Sequence, residues 1–120
     1  ASVQQWNAGF NSLNDNIFQR YLHLINNFYL EKRTVEEYAS LLSVSAKHLS
    51  AIIKEVSGKN ALSFINQRIV TESKTLIQFT KLDIAEIAYQ LNFNDAANFG
   101  KFFKKQTGIT PLHFRKNHQL

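Results

Sequence analysis

Apolar residues recur along this chain every three or four positions, the spacing of amphipathic helices, and no stretch alternates as a strand would. Ile17, Tyr21, Leu24, Ile25 and Phe28 mark a first helix over about residues 14–30, whose apolar stripe has to be buried against something. Val35, Tyr38, Ala39 and Leu42 mark a second, and Leu49, Ile52, Ile53 and Val56 a third. Leu62, Ile65, Ile69, Leu76 and Ile77 predict a long fourth helix over about residues 61–79. Ile84, Ile87, Ala88 and Leu91 begin the series again, followed by Phe99, Phe102 and Phe103. A last short helix starts at Thr110 and Pro111 and runs through Arg115, since proline suits a first helical turn. The pattern predicts an all-α protein of about seven helices.

The second series repeats the first. Residues 34–45 lie over residues 83–94 at a constant offset of 49. Leu49, Ile52, Ile53, Lys54 and Gly58 lie over Phe99, Phe102, Phe103, Lys104 and Gly108 at an offset of 50. The one-residue slip falls between the two helices of each copy, where a turn absorbs it. Thr34 with Glu37, and Asp83 with Glu86, have the spacing at which a cap oxygen and a carboxyl group satisfy the free amides of a helix start. The apolar pattern then halts at Ser43 and Asn92, and asparagine tolerates the left-handed conformation a sharp turn needs. Ser45 or Asn94 can cap the next helix, which runs to Gly58 or Gly108, natural stops. The unit is therefore a pair of helices joined by a tight turn, and it occurs twice. Residues 12–60 and 80–120 are expected to form two helix-turn-helix subdomains joined by a linker helix over 61–79. Residues 1–11, with the lone Trp6, read as a linker or expression remnant without a role.

Composition supports a folded domain. Of the 120 residues 44% are apolar, with ten Phe against four Gly and one Pro, enough to bury a modest core. The net charge of +5 is unevenly spread: residues 96–120 hold no acid but include Lys101, Lys104, Lys105, Arg115 and Lys116. Such a basic face suits a polyanion: DNA, RNA or an anionic membrane surface. Cys is absent, which excludes disulfides and thiolate metal sites and fits a reducing cytosol. His23, His48, His113 and His118 lack acid or thiol partners at metal spacing, so neither a metal nor another cofactor is expected. No nucleophile elbow or glycine-rich phosphate loop occurs, which argues against an enzyme. No apolar run approaches the ~18 residues of a membrane span. Met is absent too, so the chain is expected to be a processed product or a piece of something longer.

The chemistry lies on the second helix of each copy. Opposite the apolar stripe stand Lys47, Ser50, Ala51 and Lys54 in the first copy, and Ala97, Gly100, Lys101 and Lys104 in the second. A helix face that is small or basic can enter a major groove, where small residues permit close approach and lysines meet phosphates or guanine edges. Gly100 calls for a reason, since a mid-helix glycine costs ~1 kcal/mol against alanine. Close approach to a ligand and simple helix packing both supply one. Phe10, Phe18, Phe28, Phe99, Phe102, Phe103 and Phe114 are expected in the core rather than as a base-stacking platform.

Three stretches carry a family resemblance: Ile84-Ala-Glu-Ile-Ala-Tyr-Gln-Leu-Asn-Phe93, Asn98-Phe-Gly-Lys-Phe-Phe-Lys-Lys105 and Gly108-Ile-Thr-Pro-Leu-His-Phe-Arg115. Together with looser matches at Leu49-Ser-Ala-Ile-Ile-Lys54 and Phe64-Ile-Asn-Gln-Arg68, they resemble the paired helix-turn-helix domain of the AraC/XylS transcription regulators, over about residues 18–116. The resemblance implies sequence-specific binding of double-stranded DNA, with recognition helices at about 46–56 and 95–106 in successive major grooves. It puts the contacts at Ala46, Lys47, Ser50, Ala51 and Lys54, and at Asp95, Ala96, Ala97, Gly100, Lys101, Lys104 and Lys105. It further implies a cytoplasmic bacterial activator, RNA polymerase as a partner, and a separate N-terminal sensor or dimerisation region. This chain departs from the family at Asn92, where Gly is usual, and at Ala51, where Arg is common. Ala97 and Gly100 offer no hydrogen bonds to bases, which shifts weight toward DNA shape and phosphate contacts. On the residues alone a second reading stays open, a helical protein-interaction module docking an acidic partner.

Overall fold

The computed structural model describes residues 2–118, with side chains from Leu13 onward. Among the described residues there are seven helices and no strand: α1 (Ser2–Phe28), α2 (Val35–Leu41), α3 (Ala46–Ser57), α4 (Ala61–Phe79), α5 (Ile84–Gln90), α6 (Ala96–Thr107) and α7 (Pro111–His118). The expected α1 start near residue 14 is corrected: the backbone is helical from Ser2, so the stretch read as a linker continues the helix. The side chains of Trp6 and Phe10 lie outside the described residues. The chain divides into two compact units, Ala1–Ile65 and Asn66–Leu120, and the division falls inside α4.

In the first unit α1, α2, α3 and the start of α4 bury Tyr21, Ile25, Tyr38, Ala39, Leu42, Leu49, Ile52, Ile53, Ala61 and Ile65. Tyr21 and Tyr38 meet edge to face at 5.7 Å, and neither hydroxyl is wasted. The Tyr21 hydroxyl donates to the Ala61 carbonyl at 2.7 Å, tying α1 to the first turn of α4, and that of Tyr38 donates to the Lys32 carbonyl at 2.8 Å. Burial pushes both phenols up, Tyr38 to about 12 with help from the nearby Glu37 charge. Phe18 packs edge-on against Phe64 at 5.5 Å.

The second unit replaces aliphatic residues with phenylalanines. Phe93 touches Phe99 at 5.2 Å and Phe102 at 5.3 Å, Phe99 touches Phe103, and Phe103 meets Phe114 of α7 at 5.7 Å. Ile69, Val70, Ile77, Ile87, Ala88 and Leu91 complete this core. Ser73, fully buried, satisfies its hydroxyl by donating to the Ile69 carbonyl one turn back.

The two units share their punctuation. Capping boxes form at Thr34 with Glu37 and at Asp83 with Glu86. Ser43 and Asn92 take the left-handed conformation, at φ 59° and 61°, and the next amides, of Val44 and Phe93, bond back to the carbonyls of Ala39 and Ala88. α3 and α6 end on left-handed Gly58 and Gly108. A hydroxyl brackets each end: Ser57 and Thr107 bond the carbonyls of Ile53 and Phe103 and accept the amides of Lys59 and Ile109. A second correction concerns the cap of α6, which is Asp95 rather than Asn94, its carboxylate accepting the Asn98 amide at 2.7 Å. From Ser43 to its cap Ser45 is one residue shorter than from Asn92 to Asp95, so the turn absorbs the slip between the copies.

Candidate nucleic-acid interface

Each unit buries one stripe of the second helix of its helix-turn-helix and leaves the opposite stripe in solvent. In α3 the buried residues are Leu49, Ile52 and Ile53, while Lys47, Ser50, Ala51 and Lys54 are exposed and Ala46 is half-buried. In α6 Phe99 and Phe103 are buried, Asp95, Ala97, Lys101, Lys104 and Lys105 are exposed, and Ala96 and Gly100 are half-buried. The structure thus gathers the first set on one unit and the second set on the other. Asp95 brings a carboxylate to the face, where it is engaged as the helix cap.

Two details change the chemistry read from sequence. A Cβ built on Gly100 would meet nothing within 4 Å, which removes helix packing as the reason for this glycine and leaves the space in front of it open to a ligand. Lys54 donates to the carbonyl of Gly58 at 3.0 Å, so its ammonium also caps the end of α3. Beside α3 lies an open groove of about 500 Å³ whose walls are Ser50, Ala51 and Lys54 on one side and Val35, Asn60, Ala61 and Leu62 on the other. Exposed His48 and Asn98, equivalent at an offset of 50, add polar groups in the first turns of α3 and α6. Their matching positions in the two copies were the available signal.

Arg115 leaves the basic face. Its Nε donates to the Ile77 carbonyl at 2.8 Å and its terminal nitrogen to the Thr80 carbonyl at 3.3 Å, holding α7 on the last turn of α4. No group of three or more His, Cys, Asp or Glu suited to a metal occurs among the described residues, and none of their helices is long and apolar enough to cross a membrane.

A duplicated helix-turn-helix with a small and basic outer face on each second helix defines a DNA-binding domain of the transcription-regulator class. A helix-turn-helix domain model matches residues 38–117, and the chain belongs to this family in its AraC type. Among solved structures it is similar to the C-terminal domain of AraT, a response regulator from Geobacillus stearothermophilus, at a TM-score of 0.80 and 27% identity over 87% of each chain. It is 34% identical over 97 residues to the bifunctional transcriptional activator/DNA repair enzyme AdaA of Bacillus subtilis, covering 80% of this chain and 46% of that protein. To the arabinose operon regulatory protein of Escherichia coli it is 28% identical over 81 residues, 68% of this chain and 28% of that one. The chain spans 14% to 46% of the length of the curated relatives it matches.

Proposed function

We propose that a single copy of this domain reads an asymmetric duplex site, with α3 in one major groove and α6 in the next. The observation that carries this reading is the duplicated recognition face: two helices, capped and stopped alike, each keeping its apolar stripe inside and its small and basic stripe outside. Lys47 and Lys101 are the base-edge contacts, Lys54, Lys104 and Lys105 the phosphate contacts, and Ala46, Ser50, Ala51, Ala96, Ala97 and Gly100 permit close approach. Asp95 acts through the cap that starts α6. With little hydrogen bonding from Ala97 and Gly100, DNA shape carries part of the specificity.

The relatives are longer than this chain, and their names describe regulators. By analogy the domain serves a cytoplasmic activator whose other region senses a signal or dimerises and which engages RNA polymerase; it has no catalytic role of its own. Enrichment of binding sites from a pool of random duplexes tests the core of the proposal. The expected product is a two-part, non-palindromic motif whose halves lie about one helical turn, roughly 34 Å, apart. Enrichment of a single short segment, or of a palindrome filled by two copies, overturns it. Preferential binding of an acidic protein over duplex would favour the interaction-module reading.

A further inference from the structure

The helices that follow the two recognition helices open alike. Asn60 caps α4 by accepting the Ser63 amide at 2.9 Å, and Thr110 caps α7 by accepting the His113 amide at 3.1 Å. The next residue, Ala61 or Pro111, is buried. The one after it is a leucine in both copies, and both leucines stand in solvent, Leu62 46% exposed and Leu112 68% exposed. Helical spacing predicts Leu62 in the buried stripe of α4, and the structure places it outside. A lone exposed leucine needs no explanation. Recurrence at the 50-residue offset that relates α3 to α6 does.

The surroundings of Leu62 supply one. It forms a wall of the groove whose other wall is Ser50, Ala51 and Lys54, so it stands at the edge of the recognition face of its unit. In the second unit α7, which carries Leu112, is seated on α6 through Phe114 against Phe103. We propose that Leu62 and Leu112 are DNA-positioning contacts, each laying its methyl groups on the deoxyribose edge of the strand beside its recognition helix. The inference rests on the duplex-binding reading above. The C4′ and C5′ hydrogens of a DNA strand form an apolar strip between charged phosphates, and a leucine can bury surface against it without neutralising a phosphate. Such a contact releases no counterions and reads no base. It fixes how deeply α3 and α6 enter their grooves, while Lys54 and Lys104 hold the phosphates.

The test uses the whole chain, carrying Leu62→Ala or Leu112→Ala, on an enriched duplex. Binding is titrated at several salt concentrations, and hydroxyl radicals, which attack deoxyribose hydrogens, map the footprint. Loss of about 40–70 Å² of apolar contact at ~25 cal/mol per Å² corresponds to about 5- to 20-fold weaker binding per leucine. The log-log salt slope is expected to stay at its wild-type value, and sugar protection to fade only beside the half-site served by the altered unit. Thermal unfolding of each variant is expected to match wild type, because both side chains are exposed. Wild-type affinity and sugar protection in both variants, or a flattened salt slope, overturns the inference while leaving duplex binding intact. A wild-type chain that protects no duplex overturns the duplex-binding reading, and this inference with it.

Discussion

Replacing Arg115 by alanine separates the two roles a basic residue near the C-terminal end can have. From composition Arg115 belongs to the acid-free basic stretch and is a candidate phosphate contact. In the structure its guanidinium spans two carbonyls, those of Ile77 at 2.8 Å and Thr80 at 3.3 Å, where the end of α4 leaves acceptors without helical partners. A hydrogen bond from a charged donor contributes about 1.5–3 kcal/mol, and the longer, partly exposed one contributes less than the shorter. The expected loss for Arg115→Ala is therefore about 2–3 kcal/mol, or a fall of roughly 10 °C in melting temperature for a chain of this size. Arg115→Lys can restore one of the two bonds and should recover about half. Urea or thermal unfolding followed by circular dichroism measures the loss, and a salt titration of duplex binding supplies the control. The expected result is lowered stability with an unchanged salt slope. An unchanged melting temperature with a slope flattened by about 1 refutes the argument and returns Arg115 to the DNA-facing side.

Lys104→Ala should behave in the opposite way, weakening binding to all duplexes alike and flattening the log-log salt slope by about 1, with stability unchanged; an unaltered slope removes Lys104 from the interface. Lys101→Ala should cost ~1–3 kcal/mol at one base position and relax preference there, which site enrichment with the variant measures; recovery of the wild-type motif refutes the assignment. The Glu37 carboxyl is held below its ordinary range, chiefly by the Thr34 hydroxyl and next by the Arg33 amide. A depressed native value means that the α2 capping box stabilises above the ordinary carboxyl range and is lost as pH falls through the lowered one. Protection of the α2 amides, taken relative to the intrinsic exchange rate at each pH, should therefore fall on acidification in the wild-type chain, and an identical acid profile in Glu37→Gln would refute this.

The features legible in sequence are those that act within a few residues. Capping boxes at Thr34 and Asp83, left-handed turns at Ser43 and Asn92, and stops at Gly58 and Gly108 each depend on partners no more than five positions away, and all were found where the pattern put them. The apolar stripes of α3 and α6 follow from helical periodicity alone, so the opposite, solvent-facing stripes follow as well. Even the slip between the copies was legible, although whether Asn94 or Asp95 caps α6 turns on the path of the loop.

What tertiary structure decided involves residues far apart in the chain. Arg115 finds its acceptors 38 and 35 residues back, and the Tyr21 hydroxyl finds Ala61 40 residues ahead. No periodicity announces such pairs, because a free carbonyl at a helix end acquires a partner only once another helix is packed beside it. Leu62 shows the same limit from the other side. Its spacing fits the buried stripe of α4, but burial requires a neighbouring element to cover it, and the packing of the first unit leaves that side of the helix in solvent. Gly100 is the converse case. Sequence offered both packing and ligand approach for it, and only the placement of the surrounding elements left the space before it empty. Local chemistry in the sequence set where the helices begin and end and which stripe each presents; the packing of those helices on one another chose which basic and apolar side chains remained exposed.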